Sequence, residues 1–161
     1  MTVNTLLRSH QSEPYPMLSR RLEWIKALKK MVLENQNTFA KKISDDFGNR
    51  SYKETYLAEV LPVVSAAKHA IKNTKRWMRE KKVRTSPVFW FGKSLVFPQP
   101  LGVVAVISPW NYPLQLSLIP TINALSAGNR VLIKPSEKTP EFSCFLKKCI
   151  SESFDSSVLQ V

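Results

Sequence analysis

Asn111 stands in VVAVISPWNYPLQ, residues 103–115, where a run of valine and isoleucine stops on Pro109-Trp110-Asn111-Tyr112-Pro113 before a second apolar run begins. Pro113 restricts Tyr112 to extended backbone and suits the first position of a helix, so the Asn111 amide is held close to a helix N-terminus. A neutral amide donor in that position can stabilise a developing oxyanion; asparagine beside proline is also an ordinary turn residue. A second apolar run, VLIK, ends on Lys134-Pro135-Ser136-Glu137. An ammonium and a carboxylate three residues apart at a strand end can hydrogen-bond neighbouring hydroxyls of a ribose, or pair with one another in a solvated loop. No G-x-G-x-x-G loop follows either run, which excludes the standard dinucleotide fingerprint. Cys144 and Cys149 share one helical pattern, and burial on an apolar face accounts for both better than a reactive thiolate does. His10 and His69 are isolated, so no metal site is expected.

These residues need a sheet to hold them. Val103–Ser108 reads as a continuous apolar strand of the kind buried on both faces of a parallel sheet. The spacing predicts a helix over 114–127 ending at Gly128-Asn129, a second buried strand over 131–134, and a helix capped by Thr139 with Pro140 at its first position. Val158–Val161 begins a third strand. In open α/β sheets ligands bind at the carboxyl ends of the strands, where Asn111 and Lys134 both fall.

Upstream, residues 1–16 read as a loose polar arm closed by Pro14 and Pro16. Apolar residues at spacings of three and four from Leu18 to Val32 predict a helix, broken at Asn35-Gln36-Asn37 and resumed through Phe47. Ser51-Tyr52-Lys53-Glu54 fits a capping box opening a third helix to about Met78, kinked at Pro62. SPVFWFGKSLVFPQPLG, residues 86–102, predicts two short strands with a tight turn at Gly92-Lys93, a ribbon that must lean on something else. The expected organisation is an arm (1–16), a helical region (17–84), a β-ribbon (85–101) and a partial α/β domain (102–161).

With 161 residues and 43% hydrophobic content, the chain can bury a core. It has no run of about 20 apolar residues and no signal-peptide pattern, so a cytoplasmic location and no membrane partner are expected. The net charge is +12, and residues 68–84 hold eight basic residues against Glu80 alone. That run reads as a solvated helix end in preference to a nucleic-acid patch, since no RNA- or DNA-binding motif accompanies it.

PLGVV, PWNYP, ALSAGN and KPSE followed by Thr139-Pro140 closely resemble the aldehyde dehydrogenase superfamily, from about Leu18 onward. The DFGNRSYKETYLAEV stretch is similar to the class 3 branch and, within it, to coniferyl aldehyde dehydrogenases. The resemblance implies an α/β fold with N-terminal helices, a β-ribbon that is part of an oligomerisation domain, and the first part of a Rossmann-like parallel sheet. It implies that Asn111 donates its amide to the oxyanion, and that Ile107, Ser108, Pro109 and Trp110 line the nicotinamide side of a cofactor site. It further implies that Lys134 and Glu137 hold the adenosine ribose, and that Tyr112 and Leu116 face the aldehyde. The cofactor implied is NAD, with NADP possible, and the substrate an aldehyde, of aromatic coniferyl type. The family's cysteine nucleophile, its glutamate base and its phosphate-contacting turn match no residue of the chain. The chain is therefore expected to be the N-terminal portion of an oxidoreductase that forms a homo-oligomer, a dimer, and to be inactive by itself. A non-enzymatic interaction fragment, or a basic nucleic-acid-binding module, is the alternative.

Overall fold

The computed structural model describes residues 2–161. The chain opens on helix α1, Thr2–Ser12, where the sequence suggests a loose arm. The reason is tertiary. Leu6 is fully buried, α1 packs against the strands β3 and β4 given below, and Arg130 reaches back to it. The Arg130 guanidinium donates to Ser9 Oγ at 2.9 Å, pairs with Glu13 at 3.1 Å, and lies 4.9 Å from the Trp24 ring centroid.

Helix α2 runs unbroken from Leu18 to Phe47. The break expected at residues 35–37 is absent: Asn35 donates its amide to the Met31 carbonyl, and the Tyr56 hydroxyl donates to Asn37 Oδ1. Asn35 thus donates to a carbonyl of its own helix and Asn37 accepts from outside it, so neither bond draws on a helix N–H. Gly48, in the left-handed region at φ 65°, ends the helix, with its N–H bonded to the Ser44 carbonyl.

The third helical stretch comprises α3 (Tyr52–Thr55), a π-helical turn (Tyr56–Val60) and α4 (Leu61–Trp77). Ser51 makes no side-chain cap bond, so the capping box does not form; Glu54 pairs instead with Arg50 at 3.2 Å. A kink is expected at Pro62; the structure shows a wider, π-helical turn just before it. The Leu61 N–H bonds five residues back, to the Tyr56 carbonyl.

The ribbon differs from expectation. Strand β1 is Lys81–Val83, paired antiparallel with β2, Ser94–Val96. The aromatic run that looked like its first strand is instead a 3-10 turn, Pro87–Phe89, followed by Trp90 and Phe91. Val88 to Phe91 are all at least 67% exposed, so no face of a strand is available to bury them.

The α/β part follows the predicted order: β3 (Val103–Ile107), α5 (Pro113–Ser126), β4 (Arg130–Lys134), α6 (Pro140–Ser153) and β5 (Leu159–Gln160). The three strands form one parallel sheet in the order β3-β4-β5. Its crossover helices α5 and α6 both pack on α2, and α4 packs on α2 and α5. The core is shared by Leu28, Phe39 and Ile43 of α2 with Leu118, Phe142 and Leu146 of the crossover helices. Val131 and Ile133 of β4 are buried, as a central strand requires. β3 is an outer strand and is covered on one side only: Val106 is buried, whereas Ala105 and Ile107 are exposed. Gly128 turns α5 into β4 at φ 91°, and a side chain there would meet the Arg21 guanidinium at 2.6 Å. Arg21 in turn donates to the Ser126 and Pro16 carbonyls.

Candidate functional site

The register of β3 and β4 brings the two polar strand ends together. Ile107 is paired with Lys134, and the Ser108 N–H extends the ladder by donating to the Lys134 carbonyl at 3.1 Å. The PWNYP turn and the KPSE turn therefore leave the same edge of the sheet from adjacent strands. Ser108 is buried, and its hydroxyl shares a 2.7 Å hydrogen bond with Ser117 of α5, fixing the start of the turn to the helix that follows it.

Above that anchor the sequence-predicted residues open outward. Ile107, Pro109, Trp110 and Asn111 are exposed, and Tyr112 and Leu116 are half-buried. The Trp110 indole lies 6.0 Å from the Phe47 ring, and the Lys138 ammonium 5.7 Å from the indole centroid. Lys134 and Glu137 are both exposed and pair at 3.6 Å. The Glu137 carboxyl is held below its usual range by backbone hydrogen bonding and by the Lys134 ammonium. The two groups reach the same space, with one donor and one acceptor for hydroxyls on adjacent carbons. Their donor set fits a ribose diol, and the exposed Ile107 leaves an apolar surface beside it.

Three residues that sequence spacing did not single out hold this edge in place. Glu59, in the π-helical turn, is fully buried and accepts hydrogen bonds from the Leu114 N–H at 2.7 Å and the Gln115 N–H at 3.3 Å, capping α5. Burial pushes its carboxyl up to about 6, against the opposing effects of Arg50 and the two amides. Arg50 pairs with Glu59 at 3.3 Å and donates to the Asn111 carbonyl at 2.9 Å. Asp46 caps α6 from the last turn of α2, accepting from the Glu141 and Phe142 N–H groups at 3.0 and 2.9 Å; the expected cap, Thr139, makes no cap bond. A signal for Glu59 was present: it lies on the buried stripe Thr55-Glu59-Val63-Ala67, where a carboxylate has to find a partner.

The cysteines divide. Cys149 is buried, and desolvation pushes its thiol up, as suits a core residue. Cys144 is exposed on the outer side of α6, so the expectation that both pack inward holds for Cys149 alone. Among the described residues no helix is long and apolar enough to cross a membrane.

Residues 16–161 match the model of the aldehyde dehydrogenase family. The chain is 40% identical over 146 residues to a probable coniferyl aldehyde dehydrogenase of Pseudomonas aeruginosa, a match covering 91% of the chain and 31% of that protein. It is 35% identical over 157 residues to the coniferyl aldehyde dehydrogenase of a Pseudomonas species, covering 98% and 32%. The chain thus spans about a third of the length of the curated relatives it matches. Among solved structures it is similar to Staphylococcus aureus AldH in a substrate-bound state, with a TM-score of 0.94 at 30% identity over 99% of this chain and 35% of that one. It shares the fold of the glyceraldehyde-3-phosphate dehydrogenase GapN of Methanocaldococcus jannaschii, with a TM-score of 0.80 at 23% identity over 99% of this chain and 34% of that one.

Proposed function

The chain belongs to the aldehyde dehydrogenase family, and from that premise we propose that it supplies the oxyanion-binding and ribose-binding part of an NAD(P)-dependent enzyme that oxidises an aldehyde, of aromatic coniferyl type, to the carboxylic acid. The observation that carries this reading is the β3–β4 register, with Asn111 on the turn after one strand and Lys134 and Glu137 at the end of the next. In this reading the Asn111 side-chain amide donates to the substrate oxygen as negative charge develops on it. Tyr112 and Leu116 bound the aldehyde, while Ile107, Ser108, Pro109 and Trp110 bound the nicotinamide ring. Lys134 donates to, and Glu137 accepts from, the hydroxyls of the adenosine ribose. A nicotinamide cofactor held by these residues would supply the hydride acceptor for the oxidation. A carboxylate facing the 2′-hydroxyl repels a phosphate at that position, which favours NAD over NADP.

The same reading makes these 161 residues inactive by themselves. Attack by a thiol on an aldehyde carbonyl needs a low-pKa cysteine beside the oxyanion donor. Cys149 is buried and Cys144 lies on the outer side of α6, so neither supplies one. The test is thermal unfolding of the purified chain with and without millimolar NAD, together with an assay for NADH formed from coniferaldehyde. The expected outcome is a cooperative melt that moves upward with NAD, and no NADH above a buffer blank. An NAD-indifferent melt would remove the ribose-binding assignment, and NADH formation would remove the claim of inactivity.

A further inference from the structure

Arg50 is attached to the Asn111 turn by more than one bond. Its Nη1 donates to the Asn111 backbone carbonyl at 2.9 Å, and its guanidinium lies 4.6 Å from the Tyr112 ring centroid. The next residues of the turn are held by its partner: Glu59 takes the N–H groups of Leu114 and Gln115. Arg50 is itself fixed by Glu54 at 3.2 Å and Glu59 at 3.3 Å, and by the Phe47 ring 5.0 Å away. The exposed turn therefore rests on a buried ion pair whose two members belong to the segment joining α2 to α4. The Arg50 side chain is only 5% exposed and that of Glu59 is fully buried.

The geometry has a directional consequence. The carbonyl Arg50 holds belongs to the peptide that joins Asn111 to Tyr112. Fixing that peptide plane, with Tyr112 at φ −137° and ψ 72°, leaves the Asn111 side chain only its own rotamers. Nη1 faces both the Glu59 carboxylate and the Asn111 carbonyl while Nη2 faces Glu54, three groups that a planar fork serves at once and a single ammonium does not.

We propose that Arg50 and Glu59 are positioning residues that set the direction of the Asn111 amide, acting through the Asn111–Tyr112 peptide and the first turn of α5. That Asn111 is the oxyanion donor rests on the function proposed above; that the pair orders its turn does not.

The test is 15N relaxation of the 161-residue chain at neutral pH, comparing it with Arg50→Lys and Glu59→Gln. In the unaltered chain Asn111 and Tyr112 are expected to be as ordered as β4, with order parameters of about 0.85 despite their exposure. In both variants they are expected to fall below about 0.6 while β4 stays unchanged. A folded Arg50→Lys chain with unaltered order at Asn111 overturns the proposal. A second measurement needs no variant: rotation of the Arg50 guanidinium about its terminal C–N bonds should be slowed, and free rotation in the unaltered chain overturns the proposal equally. In an active aldehyde dehydrogenase carrying these residues, Arg50→Lys should lower kcat about tenfold and leave KM within about twofold, since the lost contact acts on the transition state. Loss of order with unchanged kcat would remove Asn111 as the oxyanion donor and leave the positioning role intact.

Discussion

Glu59 shows how one residue can carry a structural duty and an electrostatic cost together. It caps α5 and anchors Arg50, yet burial pushes its carboxyl up from the ordinary glutamate range to about 6. A folded-state value above the unfolded one means that the folded chain binds the Glu59 proton more tightly. The associated stability is fully present below about pH 4.5 and is lost as the pH rises through about 6. At about 1.4 kcal/mol per pH unit, the loss amounts to about 2 kcal/mol. The exposed carboxyls of Glu137, Glu141 and Asp155 are shifted downward, so their contributions change on the acid side of this window. Urea midpoints measured from pH 4.5 to 6.5 should therefore decline with rising pH, and Glu59→Gln should flatten that decline. A variant whose profile still falls in parallel with the unaltered chain would show that another group causes it.

Helix termini reveal which parts of the elements were legible in the sequence and which were not. The apolar stripes of α2, α4, α5 and α6 are local in the chain, because residues three and four apart share a face, and the helices appear where that spacing places them. The caps are not local. Asp46 lies 95 residues from the Glu141 N–H it accepts, and Glu59 lies 55 from Leu114. Ser51 and Thr139, the residues at cap positions in sequence, make no cap bonds. The same division runs through the candidate site. The placement of Asn111, Lys134 and Glu137 at adjacent strand ends was legible because proline bracketing and apolar strand runs are local patterns. Arg50 stayed hidden because its partners Glu59 and Asn111 meet it only in the folded chain. The ribbon was misjudged for a related reason: β-forming residue types at 88–91 have no buried face to occupy, and Lys81–Val83 pairs in their place. The caps allow a sharp comparison. Asp46→Ala leaves two N–H groups without an acceptor and should cost about 1 kcal/mol, up to about 2. Thr139→Val keeps the buried side-chain volume while removing a 3.3 Å bond to the Ser136 carbonyl, and should cost less. Denaturant melts that rank the two variants the other way would return the cap to Thr139.

At the scale of the whole molecule, what joins the N-terminal helices to the sheet is a set of buried contacts between distant parts of the chain. Arg21 closes the end of α5 at Ser126, and Arg130, at the first position of β4, holds α1 through Ser9 and Glu13. Both guanidinium groups are drawn below their usual pKa range, chiefly by burial. A buried cation is a poor source of net stability, because desolvation offsets much of the pairing; what it supplies is a requirement that its partners be in place. The stabilising part of the α1 contact must then be apolar, and Leu6 is its buried residue. Truncating a fully buried leucine typically costs 2–5 kcal/mol, roughly, depending on how far the site can close. Leu6→Ala should therefore lower the urea midpoint of the entire cooperative transition, sheet included, since α1 packs on β3 and β4. Met17→Ala, at a residue 73% exposed in the neighbouring loop, should leave the midpoint within experimental error. If α1 were a loose arm, the two substitutions would be equally silent. If it docked without joining the common core, Leu6→Ala would free the helix alone, seen as early hydrogen exchange at residues 2–12 with the midpoint of the sheet unmoved.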